Sequence, residues 1–234
     1  GYTIGVLNCD LVLNNVLGNT DITSDQFVPL ACIENDPYLF VVSKDAPYQT
    51  FEEFVDYAKA HPGEVTVADT GAGAAPHLAY LALTQDLGLD LKTVSYDSAA
   101  DSVVAVVSGE VQAAITASGA AVGQMDGGNV VPLAVTSNER LSTYPDVPAM
   151  GELYTELADM QVNSWIMVAV KADTDPEIIS FLQDAFAPAA VSDAYKTTQE
   201  GFFFQPVEEM SNEDMLNFVA AQHSYYAVSY THLT

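Results

Sequence analysis

Between Val65 and Thr136 short β-prone runs alternate with longer helical ones, and this alternation leaves few folds open. Val65–Asp69, Leu91–Tyr96, Ala113–Thr116 and Val130–Thr136 read as strands. One helical stretch runs from Ala75 to Leu87 and stops at Gly88. A second is capped by Asp97 or Ser98, carries Val103, Val104 and Val107, and closes at Gly109; a weak third follows a Gly/Ser loop. Parallel strands need crossover connections, so strands separated by helices predict βαβ units and a mostly parallel sheet. In such sheets ligands sit beyond the carboxyl ends of the strands, which singles out the loops that leave a strand and enter a helix.

The flanking sequence follows the same grammar. Tyr2–Leu7 reads as a strand, Leu11–Leu17 as a short helix, and Val28–Ile33 and Tyr38–Ser43 as two further strands. Thr50 and Glu53 form a capping box, after which Phe51, Phe54, Val55 and Ala58 recur on one helical face until His61-Pro62-Gly63 ends it. A Pro-punctuated loop spans Asn138 to Pro148, and Val162–Val170 is a long strand. Thr174 and Glu177 make a second capping box with Pro176 in the first turn, followed by Ile178, Ile179, Leu182 and Phe186 on one side. Gly201 ends another helix, Phe202–Phe204 is strand-like, and Ser211 caps the last helix. There is no repeat of fixed period.

Composition narrows the function classes. At ~150 residues per domain, 234 residues make one or two domains. The 49% hydrophobic content supplies a packed core and argues against disorder. No run reaches the roughly 18 apolar residues of a membrane span. Six Lys+Arg against 32 Asp+Glu give a net charge of −26. Nucleic acids and anionic membranes are bound through Lys and Arg, so neither is expected as a partner. Cys9 and Cys32 read first as two small buried hydrophobes, with a single disulfide the alternative. The chain opens on Gly1-Tyr2-Thr3 with no initiator Met and no signal segment, the start expected of a fragment or a processed product.

The loop Asp69-Thr70-Gly71-Ala72-Gly73-Ala74-Ala75-Pro76-His77 carries the most chemistry. Two glycines allow a tight turn and a close backbone approach. The helix behind them offers unpaired N–H groups and about half a positive charge. Together these make an anion site that needs no cation, and Thr70 can add a hydroxyl. The same residues also read as a plain tight turn into a helix. Pro76 stands where a dinucleotide loop needs its third Gly, and no Gly-Lys-Ser/Thr is present, which excludes both common nucleotide loops. Tyr96-Asp97-Ser98-Ala99-Ala100 and Thr116-Ala117-Ser118-Gly119 enter helices too, each reading also as an ordinary cap. If the strands are neighbours, all three loops open at one sheet edge.

Catalytic and metal motifs are absent: no G-x-S-x-G, no H-E-x-x-H, no C-x-x-C and no calcium loop. His61, His77, His223 and His232 show no metal-ligand spacing. Trp165 reads as core or as an aromatic wall of a ligand cleft. Arg140, the sole Arg, is expected to pair with a nearby carboxylate such as Glu139 or Asp146, and the scattered acids form a solvated face.

An ordered set of segments resembles the tripartite tricarboxylate transporter substrate-binding proteins, the Bug-type solute receptors. Gly1-Tyr2-Thr3 is similar to the end of their D-G-Y-T, and Ala58-Lys59-Ala60-His61-Pro62-Gly63 to their helix ending in P-G. Thr70-Gly71-Ala72-Gly73 with His77-Leu78-Ala79 is similar to G-x-G-x-x-x-H-L-A, Val94-Ser95-Tyr96 to V-P-Y, and Gly109-Glu110-Val111-Gln112 to the G-x-V loop. Leu133-Ala134-Val135-Thr136, Arg140, Tyr144-Pro145-Asp146-Val147-Pro148 and Glu152 are similar to L-A-V-T…R…P-D-V-P-T…E. Ser95, Ser98 and Ala149 depart from the family's Pro, Gly and Thr at those places.

The resemblance implies an α/β, type II periplasmic-binding-protein-like fold, with two α/β lobes joined by two crossing strands near Tyr38–Ser43 and Trp165–Lys171. Lobe 1 is expected as residues 1–41 plus 168–234 and lobe 2 as 42–167. It implies a chain truncated at its N-terminus, because family members carry a strand, loop and helix before D-G-Y-T. It also implies a monomeric extracytoplasmic receptor that holds a small carboxylate between the lobes and serves membrane transporter subunits. No cofactor, metal or catalysis is implied. The expected ligand set is Asn8, Thr70, Gly71, Ala72, Gly73, Ala74, His77, Ser98, Ala99, Thr116, Ser118 and Trp165. The alternatives are an enzyme on a similar scaffold and a ligand-sensing module of a signalling protein. Ser229–Thr234 is expected to be non-native read-through.

Overall fold

The structure, a computed structural model, describes residues 3–202 and 204–231. The start of the expected first strand at Tyr2, Phe203 of the strand-like run, and His232–Thr234 of the expected tail lie outside the described residues. The chain divides into two compact units, one of Gly1–Asp36 with Ser164–Thr234 and one of Pro37–Asn163.

The first unit is built from β1 (Gly5–Asn8), α1 (Cys9–Val16), β2 (Phe27–Pro37), β8 (Asn163–Lys171), α7 (Pro176–Ala190), α8 (Asp193–Gly201) and α9 (Asn212–Thr231). Its sheet runs β1-β8-β2, with β1 antiparallel to β8. The strand expected to end at Ile33 continues to Pro37. Leu7, Leu13, Leu30, Trp165 and Tyr226 are buried at its core. The Trp165 indole N–H donates to the Tyr226 hydroxyl (3.2 Å), and its ring meets Phe218 edge-on. Cys9 and Cys32 are both buried free thiols. Burial pushes Cys9 up to about 12 and Cys32 up to about 11, so neither is a thiolate at neutral pH.

Two expectations for this unit need correction. α7 is capped by Asp175, whose carboxylate accepts the Glu177 N–H at 2.8 Å, not by Thr174. Phe202 and Phe204 form no strand, because both turn their N–H groups back to Gln199. The expected Ser211 cap does close α9: Ser211 accepts the Asp214 N–H, and Asp214 reaches back to the Ser211 N–H.

Gln222 on α9 is fully buried, and neither its Nε2 nor its Oε1 has a hydrogen-bond partner among the described residues. A buried unpaired polar group costs about 1–3 kcal/mol. Gln222→Met keeps the shape and removes that cost, so it is expected to stabilise the chain by roughly 1–3 kcal/mol. A higher urea midpoint at unchanged slope is the readout; an unchanged or lower midpoint would mean the amide is satisfied.

The second unit contains β3 (Leu39–Ser43), α2 (Phe51–Ala60), β4 (Thr66–Asp69), α3 (Ala75–Gln85), β5 (Lys92–Ser95), α4 (Ala99–Ser108), β6 (Ala113–Thr116), α5 (Ser118–Asp126), β7 (Val130–Val135) and the short α6 (Met150–Leu153). Its five strands are ordered β5-β4-β6-β3-β7. β4 is parallel to β5 and β6, but β3 is antiparallel to both β6 and β7. The sheet is therefore mixed rather than mostly parallel. Strand alternation splits β3 between two layers. Phe40 meets Phe51 and Phe54 of α2 at ring distances of 5.4 and 4.6 Å, while Leu39 and Val41 join Val103, Val106, Ala114 and Val135. Arg140 bonds Glu152 (2.9 Å) and the Pro145 carbonyl (3.1 Å), so its carboxylate partner is neither Glu139 nor Asp146.

Candidate functional site

The register of the second sheet brings the three strand-to-helix loops together. β5, β4 and β6 are adjacent and parallel, so the chain leaves Ser95, Asp69 and Thr116 at the same end of the sheet. That is the carboxyl end, where α/β sheets place their ligands.

Asp69 anchors this end. It is fully buried at the terminus of β4. One carboxylate oxygen accepts the Gly71 N–H (2.8 Å) and the Ser95 hydroxyl (3.1 Å). The other meets His77 Nδ1 (2.6 Å) and accepts the Thr93 hydroxyl (2.9 Å). Burial alone would raise this carboxyl, but the bonds from His77, Gly71 and Thr93 outweigh it and hold Asp69 below the usual carboxylate range. Its bond to Gly71, two residues on, is the local turn an aspartate makes with its own backbone.

Gly71 and Gly73 sit at φ of +96° and +97°. A Cβ on Gly71 would meet only Ser95 atoms at 3.6–3.7 Å, so the left-handed backbone, not crowding, requires glycine there. The loop thus leaves Asp69 in a shape fixed from beneath by a carboxylate. His77 is held on two sides, by Asp69 and by stacking on Tyr80 (5.3 Å), whose hydroxyl bonds the Leu91 carbonyl. Its Nε2 is the ring nitrogen not spent on Asp69.

The remaining expected residues fall into distinct settings. Thr70 and Gly73 are half-buried and Ala72 is exposed on the loop. The Ala74 N–H bonds Gly71 O and the His77 N–H bonds Ala74 O, while Pro76 has no N–H. The start of α3 therefore offers fewer free donors than a bare helix end, and Ala74 supplies no side-chain cap. Ser98 caps α4 through the Asp101 N–H and also donates to the Asp101 carboxylate. Thr116 is buried and donates to the Ala99 carbonyl (3.4 Å), tying the second loop to the third; Ser118 is buried beside it in sequence. Asn8 and Trp165 belong to the first unit, where Asn8 caps α1 through the Leu11 N–H and Trp165 lies in the core.

Asp69 itself was not among the residues expected from sequence. A signal existed: an acid ending a strand, two residues before a glycine and eight before a histidine, with Thr93 and Ser95 on one face of the next strand. Among the described residues no cluster of His, Cys, Asp or Glu could hold a metal ion, and no helix is long and apolar enough to cross a membrane.

Comparison with known proteins finds the family described as Tripartite tricarboxylate transporter family receptor over residues 1–227. A UPF0065 protein of Bordetella pertussis is 26% identical over 95% of this chain and 68% of its own length. Other curated relatives are spanned over about half their length. A TctC solute-binding protein from Polaromonas, solved without ligand, superposes with a TM-score of 0.84 at 26% identity, covering 99% of this chain and 78% of that one. An R. palustris protein solved with adipate gives 0.83 at 23% identity, covering 98% and 77%.

Proposed function

For a chain that belongs to the tripartite tricarboxylate transporter receptor family, we propose capture of a small carboxylate outside the cytoplasm and its delivery to membrane transporter subunits, by a monomer and without catalysis. The observation that carries this reading is the shared opening of the three loops around an Asp69-anchored turn. The backbone of Thr70–Ala74, with His77, Ser98, Ala99, Thr116 and Ser118 around it, is the proposed carboxylate contact of the second unit. Asn8 is the proposed contact of the first; Trp165, buried there with its N–H on Tyr226, fits the core reading of that residue. With a net charge of −26 the whole chain repels an anion at long range. Screening over about 8 Å in physiological salt leaves the local N–H groups to decide affinity.

Thermal unfolding against mono-, di- and tricarboxylates tests this, with adipate heading the panel. Saturation at 100 times Kd stabilises by about 2.7 kcal/mol, roughly 5–11 °C for a chain of this size. A shift with one carboxylate and none with a matched neutral diol is the expected result. A cooperative transition that no carboxylate moves would overturn the reading.

A further inference from the structure

A groove of about 360 Å³ opens in the second unit, lined by the turn after β3 and by the end of α4. Register places it away from the carboxylate end. Val42 pairs with Ala113 and Leu39 with Thr116, so Ser43 and Gln112 meet where β6 begins, not where it ends. The intervening strand is about 13 Å long. The groove is therefore separate from the Asp69 loop.

Its volume falls at the lower end of the ~300–1,000 Å³ typical of small-molecule sites. Ala46, Pro47, Val106, Val107 and Val111 give it apolar walls, and Val107 stays 40% exposed there. Two residues of its lining keep a polar group unspent. Tyr48 is only 2% exposed, yet its hydroxyl has no hydrogen-bond partner among the described residues. Gln112 uses Oε1 to accept both the N–H and the hydroxyl of Thr66, an assignment the Thr66 N–H requires, so its Nε2 remains to donate. The electrostatics are one-sided. Asp45 lies in the lining, and α4 ends here at Gly109 with no basic residue in its last turn. The Ala105 and Val106 carbonyls accept from Gly109, Glu110 and Val111, but no side-chain cation of the last turn offsets the negative end of the helix dipole.

We propose that this groove is a second binding site, for a small organic cation: an ammonium group on a short apolar body that also carries an oxygen acceptor. The ammonium donates to Asp45 and to the Tyr48 hydroxyl, near the carbonyl end of α4. The body lies along the valines, and the ligand oxygen accepts from Gln112 Nε2. An amino alcohol is the simplest molecule with all three parts.

The probe is 6-amino-1-hexanol, titrated into the full isotope-labelled chain and followed by backbone amide shifts. 1,6-Hexanediol lacks the charge and 6-hydroxyhexanoate reverses it. The expected result is saturable shifts confined to Asp45–Tyr48 and Val106–Gln112, at least severalfold weaker with the diol and absent there with the hydroxy acid. Tyr48→Phe keeps the ring packing on Phe54 and Tyr57 and so retains the fold. It is expected to weaken binding about tenfold, because a hydrogen bond to a charged group is lost. Asp45→Asn, at an exposed position, is expected to weaken it about threefold. No saturable shift in the groove, a diol that binds as tightly as the amine, or a Tyr48→Phe chain with unchanged affinity would each overturn the proposal. Carboxylates bound at the Asp69 loop shift different amides, so the two sites fail or succeed separately.

Discussion

Asp69→Ala is expected to cost about 3–5 kcal/mol of folding stability and to abolish carboxylate binding. The buried carboxylate collects four donors from three pieces of chain: its own loop at Gly71, the start of α3 at His77, and β5 at Thr93 and Ser95. Alanine leaves those donors without their acceptor: Thr93 and Ser95 are exposed and can turn to water, so the cost falls mainly on the half-buried Gly71 N–H and His77 and on the cavity left where Asp69 was fully buried. Urea unfolding of the full chain reads the stability loss, and the carboxylate thermal shift reads the function. Asp69→Asn separates the two. It keeps the shape and one acceptor oxygen but faces His77 and Thr93 with an amide, so an intermediate loss is expected. An Asp69→Ala protein within about 1 kcal/mol of wild type would deny Asp69 its anchoring role.

The same carboxylate sets a pH dependence. Its folded-state pKa lies below the ordinary 3.8. A depressed acid stabilises fully above its ordinary pKa, and that contribution is lost as pH falls through the folded value. Wild type should therefore lose stability below about pH 4 more steeply than Asp69→Asn.

Much of the second unit was legible because its signals are local. Thr50 accepts the Glu53 N–H, and Gly109 closes α4 in the left-handed region at φ +77°. The Glu53 carboxylate, however, returns to the Gln49 N–H rather than to Thr50. Ser98 caps as expected, and the loops after β4, β5 and β6 converge because those strands are neighbours. What stayed hidden was non-local. Leu39–Val42 is a continuous apolar run, buried on both faces, and such a run carries no mark of direction. Its antiparallel placement between β6 and β7 could not be read from it. Asp69 draws Thr93 and Ser95 from 24 and 26 residues away, and Arg140 finds Glu152 12 residues on. The face of α7 is a different case: periodicity groups Ile178 with Ile179, Leu182 and Phe186, yet Ile178 is 41% exposed. Periodicity identifies an apolar stripe but not how completely a neighbour covers it.

Thr136 shows how one such non-local residue gives a short motif its purpose. It ends the Leu133-Ala134-Val135-Thr136 run and is fully buried. Its hydroxyl accepts the Tyr38 N–H (2.9 Å) and donates to the Val162 carbonyl (2.7 Å). Its backbone repeats the link, donating to Tyr38 O (2.9 Å) and accepting from the Val162 N–H (3.3 Å). Tyr38 and Val162 lie beside the residues at which the second unit begins and ends. One side chain thus clasps both ends of the unit onto β7. Valine matches threonine in volume but can neither donate nor accept, so Thr136→Val strands one buried N–H and one buried carbonyl. At about 1–3 kcal/mol for each unpaired group, a loss of roughly 2–5 kcal/mol is expected. Thr136→Ser retains the hydroxyl and loses only a methyl group, about 1 kcal/mol. The clasp is therefore tested by the order of stabilities in urea: wild type, then serine, then valine. A valine variant as stable as the serine one would mean that the hydroxyl bonds contribute little and that Thr136 is held there for its methyl group.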